Sequence, residues 1–125
     1  MNTNLFHLAY VRDNHLHILR EQHKVNLSEL VLLEAEINYT HLHLRCGKKI
    51  TVAKTLKTFE DILSNYHFYR IHRTFLINGS HLKSYNSELG EVMMTNDYKA
   101  PTSRRRKNLF EVQINNSTNE KAMSV

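Results

Sequence analysis

The chain is poor in several residue types that specialised architectures require. Its 125 residues include one cysteine, one proline, three glycines and no tryptophan. Because Cys46 has no second cysteine to pair with, an internal disulfide and a zinc site built from several thiolates are both excluded. No run of about 18 apolar residues occurs, and histidine and charged side chains interrupt the first twenty residues. The sequence therefore predicts neither a membrane span nor a signal peptide, and it predicts a cytoplasmic protein.

The positive charge of the chain is concentrated in two segments. Residues 45–73 hold seven lysines and arginines against two acids, and residues 99–107 hold five against none, whereas the rest of the chain is slightly acidic. Two clustered basic segments are typical of a surface that faces a polyanion. Two solvated basic loops would give the same pattern, so the charge alone leaves both interpretations open.

Alternation of apolar and polar residues dominates the chain and predicts half-buried strands over residues 15–20, 41–45 and 49–54. Gly47 marks a tight hairpin between the second and third of these strands. The apolar run at residues 30–33 favours a strand buried on both faces, although a helical turn would show the same pattern. With 41% hydrophobic residues and the length of one domain, the chain is expected to form a single, mostly β unit.

Helical spacing occurs in one short segment, whose apolar residues are Leu56, Phe59, Ile62, Leu63 and Tyr66. Either Thr55 or Thr58 can cap the start of this helix. A second, basic helical turn is predicted after Ser103, which follows Pro101 and can serve as an N-cap. The sequence therefore predicts one or two short helices beside the strands.

One strand-like segment breaks its own alternation. Residues 68–78 read FYRIHRTFLIN. One face carries Tyr69, Ile71, Phe75 and Ile77, and the other carries Arg70, His72, Thr74 and Asn78. Arg73 falls on the apolar face, so either the strand bulges there or Arg73 leaves the sheet at a turn. Places where a local rule fails are often functional, although a buried structural ion pair would explain the same break.

Four ordered motifs resemble the LytTR DNA-binding domain of bacterial transcription regulators. They are EAEINYTHLHL at residues 34–44, KTLKTFEDIL at 54–63, FYRIHRTFLIN at 68–78 and APTSRRRKNL at 100–109. The resemblance covers the chain from Val25 to Phe110. Departures are small and keep the chemistry: Thr74 stands for the usual serine, Ile77 for the usual valine, and Pro101-Thr102 for a more common aliphatic residue.

The resemblance implies a mostly β fold of small antiparallel sheets packed as an elongated sandwich, with one or two short helices. It also implies a transcription regulator that reaches DNA through loops rather than through a recognition helix, and no cofactor or catalysis is expected. On this basis residues 25–114 form the DNA-binding domain. Residues 1–24 are expected to form an N-terminal extension with extra strands, and residues 115–125 a flexible tail.

Carried over residue by residue, the resemblance assigns base contacts to the turn around Asn38, Tyr39 and Thr40, to Arg73 and to Arg104. The chemistry agrees, because a planar guanidinium can donate two hydrogen bonds to guanine O6 and N7, a pair worth about 1–3 kcal/mol of discrimination. Both arginines are therefore predicted to read bases in the major groove.

The other predicted DNA-contacting residues hold the phosphate backbone or support the base-reading residues. Those suited to phosphates are Lys54, Thr55, Lys57, Arg105, Arg106 and Lys107. The set is completed by Arg70, His72, Thr74, Thr102 and Ser103. His72 has two open roles, since it can donate to a phosphate or fix the turn that presents Arg73, and the second role is favoured.

The predicted partner is double-stranded DNA, read as paired direct repeats by two copies that dimerise on the duplex and bend it. Many relatives carry a receiver domain before this module, and residues 1–24 are too short for one. The regulatory input is therefore expected from a partner protein, from the expression level or from a membrane-bound antagonist encoded elsewhere. The sequence does not choose among these routes.

Two other functions fit parts of the sequence. His15 and His17, followed by Glu21, have the ligand spacing of a cupin-like metal-dependent enzyme, but the glycines of that signature are missing. A basic β-surface with aromatic rings also suits an RNA-binding module, although Phe68 and Tyr69 have opposite parity and do not form one stacking platform. A serine hydrolase is disfavoured, because no Gly-x-Ser-x-Gly elbow occurs.

Overall fold

The computed structural model describes residues 9–123 of the chain, and side chains are described for residues 9–116. The strands of this part form three antiparallel sheets. The first sheet contains, in spatial order, β1 (Ala9–Arg12), β2 (His15–Ile18) and β3 (His23–Asn26). The central sheet contains β4 (Leu30–Glu36), β5 (Tyr39–Leu44), β6 (Lys49–Val52), β7 (Phe68–Arg70) and β8 (Phe75–Asn78), in the order β6-β5-β4-β8-β7. The third sheet contains β9 (Leu82–Asn86), β10 (Glu91–Met94) and β11 (Lys99–Pro101), with β10 in the middle.

The described part of the chain also contains two α-helices, α1 (Leu56–Leu63) and α2 (Arg104–Met123). Short 3-10 turns lie at Leu27–Glu29, Ser64–Tyr66 and Gly79–His81. Within residues 9–123, no helix has both the length and the apolar character needed to cross a membrane. The arrangement confirms the predicted mostly β fold of small antiparallel sheets.

The central sheet separates two hydrophobic cores. One core lies on the side of the first sheet and α1 and includes Leu16, Ile18, Val25, Leu56, Phe59 and Leu63. The other lies on the side of the third sheet and α2 and includes Ile71, Ile77, Val92, Met94, Ala100 and Phe110. Strand β4 serves both cores, because Leu30 and Leu33 belong to the first and Val31 and Leu32 to the second. The predicted strand buried on both faces is therefore present, with an irregularity in its register between Leu30 and Leu32.

Tight turns fix the registers of the hairpins. Asp13 and Asn14 join β1 to β2 with φ angles of 52° and 59°, which suits the type I′ turn of a two-residue hairpin. Gly47 has a φ of 93° in the turn between β5 and β6, where the sequence predicts a hairpin. Strands β1 and β2 both lie within the N-terminal extension assigned to residues 1–24.

The segment of residues 68–78 is a hairpin and not the single strand that its alternation suggests. Strands β7 and β8 pair antiparallel, and residues 71–74 form the turn between them. The amide of Ile71 donates to the carbonyl of Phe75 at 3.1 Å, and the amide of Phe75 donates to the carbonyl of His72 at 3.1 Å. The break in alternation at Arg73 is therefore a turn and not a bulge, because Arg73 lies between the two strands.

The two helices begin differently. Thr55 occupies the N-cap position of α1, but its hydroxyl lies 3.2 Å from that of Thr58 and caps no backbone amide. Helix α2 begins as predicted, since the Ser103 hydroxyl accepts a hydrogen bond from the amide of Arg106 at 3.2 Å. It is longer than the single turn predicted and includes residues 115–123, which the sequence assigns to the tail. Neither glycine nor proline occurs after Pro101 to end it.

Aromatic packing fixes α2 against the central and third sheets. Phe110 is fully buried and contacts the rings of Tyr69 and Tyr85 edge-on, with centroid distances of 6.0 and 5.1 Å. The Tyr85 hydroxyl donates to a carboxylate oxygen of Glu111 at 2.5 Å. Burial, together with this carboxylate, raises the pKa of Tyr85 to about 12. The start of α2 is therefore held in one position relative to the sheets.

Candidate nucleic-acid interface

One end of the central sheet brings the two basic segments of the sequence together. The amide of Ser103 donates to the carbonyl of Ile71 at 2.8 Å, which ties the start of α2 to the turn at residues 71–74. Arg104 follows Ser103 directly, and Arg73 lies in the tied turn; both side chains are exposed. Among the described residues, neither arginine forms an ion pair. Both residues therefore lie at the same end of the central sheet with exposed side chains.

The turn between β4 and β5 lies at the same end. The amide of Ala35 donates to the carbonyl of Thr74 at 2.8 Å, so the end of β4 adjoins the turn that carries Arg73. Beyond it, Asn38 and Tyr39 are exposed. We call this end of the molecule, formed by residues 37–39, 71–74 and 103–107, the basic edge.

Arg70 is predicted to contact DNA, but its guanidinium is engaged inside the protein. Its guanidinium donates to the carbonyls of His72 at 2.8 Å and Arg73 at 2.6 Å. It also donates to a carboxylate oxygen of Glu60 at 2.6 Å, and only 13% of its side chain is exposed. Because all three sets of donors are occupied inside the protein, Arg70 holds the backbone of the turn that presents Arg73.

Glu60, on α1, connects two parts of the basic edge through its carboxylate. Its second carboxylate oxygen lies 3.7 Å from the guanidinium of Arg106, while the first accepts from Arg70. One carboxylate on α1 thus contacts both the β7–β8 hairpin and the first turn of α2. The sequence interpretation missed Glu60, because its only signal was an acid beside Asp61 on a short helix. Arg106, assigned to a phosphate, has 29% of its side chain exposed and shares its charge with Glu60.

His72 contacts the backbone of the turn that carries Arg73. Its Nδ1 atom accepts a hydrogen bond from the amide of Thr74 at 3.1 Å. This bond requires an unprotonated Nδ1. Burial lowers the pKa of His72, and the charges of Arg73 and Arg70 lower it further. The neutral imidazole therefore fixes the backbone on both sides of Arg73.

Acidification is expected to weaken the fold through His72. Because the pKa of His72 is lower in the folded than in the unfolded protein, the unfolded chain binds the proton more tightly. The contribution of His72 is complete above its ordinary pKa of 6.5 and is lost as the pH falls through the folded-state pKa. Urea unfolding measured between pH 7.5 and 5 should show a smaller loss of stability for His72→Gln than for the wild type. Identical pH dependence in the two proteins would refute this role.

Lys54 and Thr40 are corrections to the predicted set. Lys54 is 6% exposed, and its ammonium contacts the carboxylate of Glu21 at 2.5 Å. Thr40 is fully buried, and its hydroxyl donates to the carbonyl of Lys54 at 2.6 Å. Both side chains are buried and hydrogen-bonded within the protein, so neither is exposed at the surface. Although burial works in the opposite direction, the hydrogen bonds from Lys54 and the amide of Ala53 lower the pKa of Glu21.

The other predicted contacts divide into exposed and structural ones. Lys57 is 70% exposed and lies 3.0 Å from the carboxylate of Asp61 one turn later. Thr55 and Arg105 are exposed, and Lys107 is half-buried. Thr102 belongs to the junction with the third sheet, since its amide donates to the carbonyl of Gly90 at 2.8 Å. Ser103 caps α2, and Thr74 is half-buried in its turn.

The residues of the cupin-like alternative do not converge. Glu21 accepts from Lys54, whereas the His17 ring stacks on Tyr10 with centroids 4.7 Å apart. His15 bonds through its ring to the carbonyl of Asp13 at 2.7 Å. Within residues 9–116, no three His, Cys, Asp or Glu side chains are grouped as a metal site.

The RNA-binding alternative depends on a platform of exposed rings. Phe68 and Tyr69 are instead buried, at 4% and 9% exposure, and Tyr66 is the exposed member of this group. The aromatic residues of the segment therefore build the cores rather than a stacking surface.

Comparison with known proteins points to one family. The family described as LytTr DNA-binding domain matches residues 20–115 of the chain. A solved structure, the LytTr DNA-binding domain of a methyl-accepting/DNA response regulator from Bacillus cereus, is similar with a TM-score of 0.66 and 23% identity, covering 85% of this chain and 94% of that one. No match is found among curated proteins. At this identity the structural likeness concerns the fold.

Proposed function

The chain belongs to the LytTr DNA-binding domain family, whose members are DNA-binding domains of transcription regulators, and on this premise we propose that its basic edge reads the sequence of double-stranded DNA. The observation that carries the proposal is the hydrogen bond from the Ser103 amide to the Ile71 carbonyl. It joins two basic segments that are distant in sequence. The arginines beside it are exposed and, among the described residues, free of carboxylate partners.

Arg73 and Arg104 are the proposed base-reading residues. Each has a planar guanidinium that can donate two hydrogen bonds to O6 and N7 of guanine, and each lies on backbone that other residues of the protein hold in place. Arg73 sits on a turn fixed by Arg70 and His72, and Arg104 on a capped helix start. Rigid presentation favours specificity, because less side-chain and backbone freedom is lost on binding. Asn38, exposed at the neighbouring turn, can pair with adenine N6 and N7.

Phosphates are proposed to bind on either side of these residues. Arg105 and Lys107 on α2 and Lys57 on α1 supply exposed or half-exposed cations. The first-turn amides of α1 can also receive a phosphate oxygen, since the Thr55 side chain caps none of them. These contacts carry affinity and salt dependence but no sequence information.

The proposal is tested by selecting bound sites from a pool of random duplexes. We expect enrichment of one sequence, the cognate duplex, which the protein then binds at least about a thousandfold more tightly than a scrambled duplex, as specific DNA-binding proteins do. A single strand or an RNA duplex of the same sequence should compete poorly. Absence of an enriched sequence, or equal competition by single strands, would contradict the proposal.

Lys107→Ala is expected to weaken binding to cognate and scrambled duplex alike. Removal of one phosphate contact should reduce the slope of log affinity against log salt by about one, because one fewer counterion is released. Lys83→Ala is the matched control: Lys83 lies on β9 beyond the far end of β8, pairs with Asp97 at 3.3 Å, and should leave the slope unchanged. Titrations at several salt concentrations measure both slopes. An unchanged slope for Lys107→Ala would remove it from the interface.

Two copies are further proposed to bind paired direct repeats and to bend the duplex between them. The family resemblance supports this arrangement. Insertion of about five base pairs between the repeats would place the copies on opposite faces of the DNA, whereas about ten would restore their alignment. Cooperative binding should therefore be lost with the first insertion and recovered with the second. Independence from spacing would indicate that each copy binds alone.

A further inference from the structure

Ile37 adopts a conformation that is unfavourable for its side chain. It has a φ of 56°, in the left-handed region that β-branched residues avoid. Among the described residues, five other non-glycine positions have a positive φ, and none of them is β-branched: Asp13, Asn14, Gln22, His67 and Asp97. At the same time 89% of Ile37 is exposed, so no packing in the fold offsets the strain. A strained residue that gains nothing from the fold is a candidate for a role in binding.

The position of Ile37 places it on the basic edge. Ile37 and Asn38 form the two-residue turn closed by the pair Glu36 and Tyr39. Two residues earlier, the amide of Ala35 bonds to the carbonyl of Thr74, in the turn that presents Arg73. An apolar side chain is therefore held outward beside the residues proposed to read bases.

The surrounding charges favour a nucleic acid as the occupant. The nearest carboxylate in sequence, that of Glu36 at the end of β4, accepts a hydrogen bond from the ring of His41 on β5 at 2.6 Å, while 66% of its side chain stays exposed. The cations of the edge, Arg73 and Arg104, have no such partner among the described residues. In the major groove, the C5-methyl of thymine is the apolar group that base edges present.

We propose that Ile37 packs against the C5-methyl group of a thymine and so makes the protein select thymine at one position of its target. The inference rests on the proposed function of the basic edge. It adds apolar readout to the hydrogen bonds expected from the arginines. The neighbouring Asn38 could read the adenine of the same or the adjacent base pair, so that one turn selects an A·T step.

The test removes the methyl group from the DNA and the branched side chain from the protein. Each thymine of the cognate duplex is replaced in turn by deoxyuridine, which differs only by the missing methyl. At one thymine, the wild type should lose about fourfold in affinity, the value expected for burial of one methyl group. Ile37→Ala should bind the thymine and deoxyuridine duplexes equally. Tyr66→Ala, which removes an exposed ring from another part of the chain, should keep the wild-type difference.

The outcomes separate this inference from the proposed function. If the wild type discriminates cognate from scrambled duplex but no deoxyuridine substitution matters, Ile37 reads no methyl group and the proposed function stands. The inference is equally overturned if Ile37→Ala remains as sensitive as the wild type, or if the cognate sequence contains no selected thymine. If no duplex is bound specifically, both the inference and the proposed function fail.

Discussion

Replacement of Arg73 or Arg104 by alanine is expected to lower the ratio of cognate to scrambled affinity by about 5-fold to 150-fold, which corresponds to the 1–3 kcal/mol of one bidentate guanine contact. The fold should be almost unaffected, because both side chains are exposed and form no ion pair with a described residue. Fluorescence anisotropy with the two labelled duplexes measures the ratio, and urea unfolding measures the stability.

Two controls separate base reading from charge. Arg73→Lys keeps the positive charge but not the planar fork, so it should recover affinity for both duplexes without recovering their ratio. Arg105→Ala removes an exposed cation assigned to a phosphate and should weaken both affinities equally. If Arg73→Ala and Arg105→Ala behave alike, the assignment of Arg73 to a base is wrong.

Arg70→Ala is expected to reduce both stability and discrimination, although Arg70 does not reach the surface of the basic edge. Removal of Arg70 from this mostly buried pair leaves the Glu60 carboxylate with only the more distant guanidinium of Arg106, 3.7 Å away, at a cost of about 3 kcal/mol in the free energy of unfolding. The carbonyl of Arg73 also loses the Arg70 donor, and the carbonyl of His72 keeps only the amide of Phe75. The turn should then loosen, and the cognate-to-scrambled ratio should fall because Arg73 is no longer held in place.

A double-mutant cycle measures how strongly Arg70 and Glu60 depend on one another. If Arg70 and Glu60 act as a unit, the combination of Arg70→Met with Glu60→Leu should cost less stability than the two single changes added together. Discrimination should nevertheless stay low in the double variant, because apolar residues restore packing but not the hydrogen bonds to the turn. Additive losses of stability would mean that the two side chains do not support one another.

Much of the fold could be predicted because it follows from local patterns. The alternation in β5 and β6, the double burial of residues 30–33 and the Ser103 cap each depend on neighbours in sequence. The failure of alternation at Arg73 indicated an irregularity in the strand, but periodicity alone could not distinguish a turn from a bulge. Family motifs then supplied the register of the chain against a known architecture.

The partners of charged residues could not be predicted in the same way. Lys54 belongs to a basic segment, yet its ammonium is paired with Glu21, which lies 33 residues earlier. Arg70 is paired with Glu60 on a helix packed against its strand. Whether a cation faces solvent or a carboxylate depends on tertiary contacts, and composition does not record these contacts. Among the predicted DNA contacts, the side chains of Thr40, Lys54 and Arg70 are engaged within the fold.

We propose that three elements distant in sequence form one DNA-reading edge. The most direct measurement is the change in backbone amide chemical shifts when labelled protein is titrated with the cognate duplex. The largest changes should fall in residues 37–39, 71–74 and 103–107, with little effect on the opposite end of the central sheet around Gly79–His81. Changes concentrated in the first sheet or around Gly79–His81, with the basic edge undisturbed, would contradict the account.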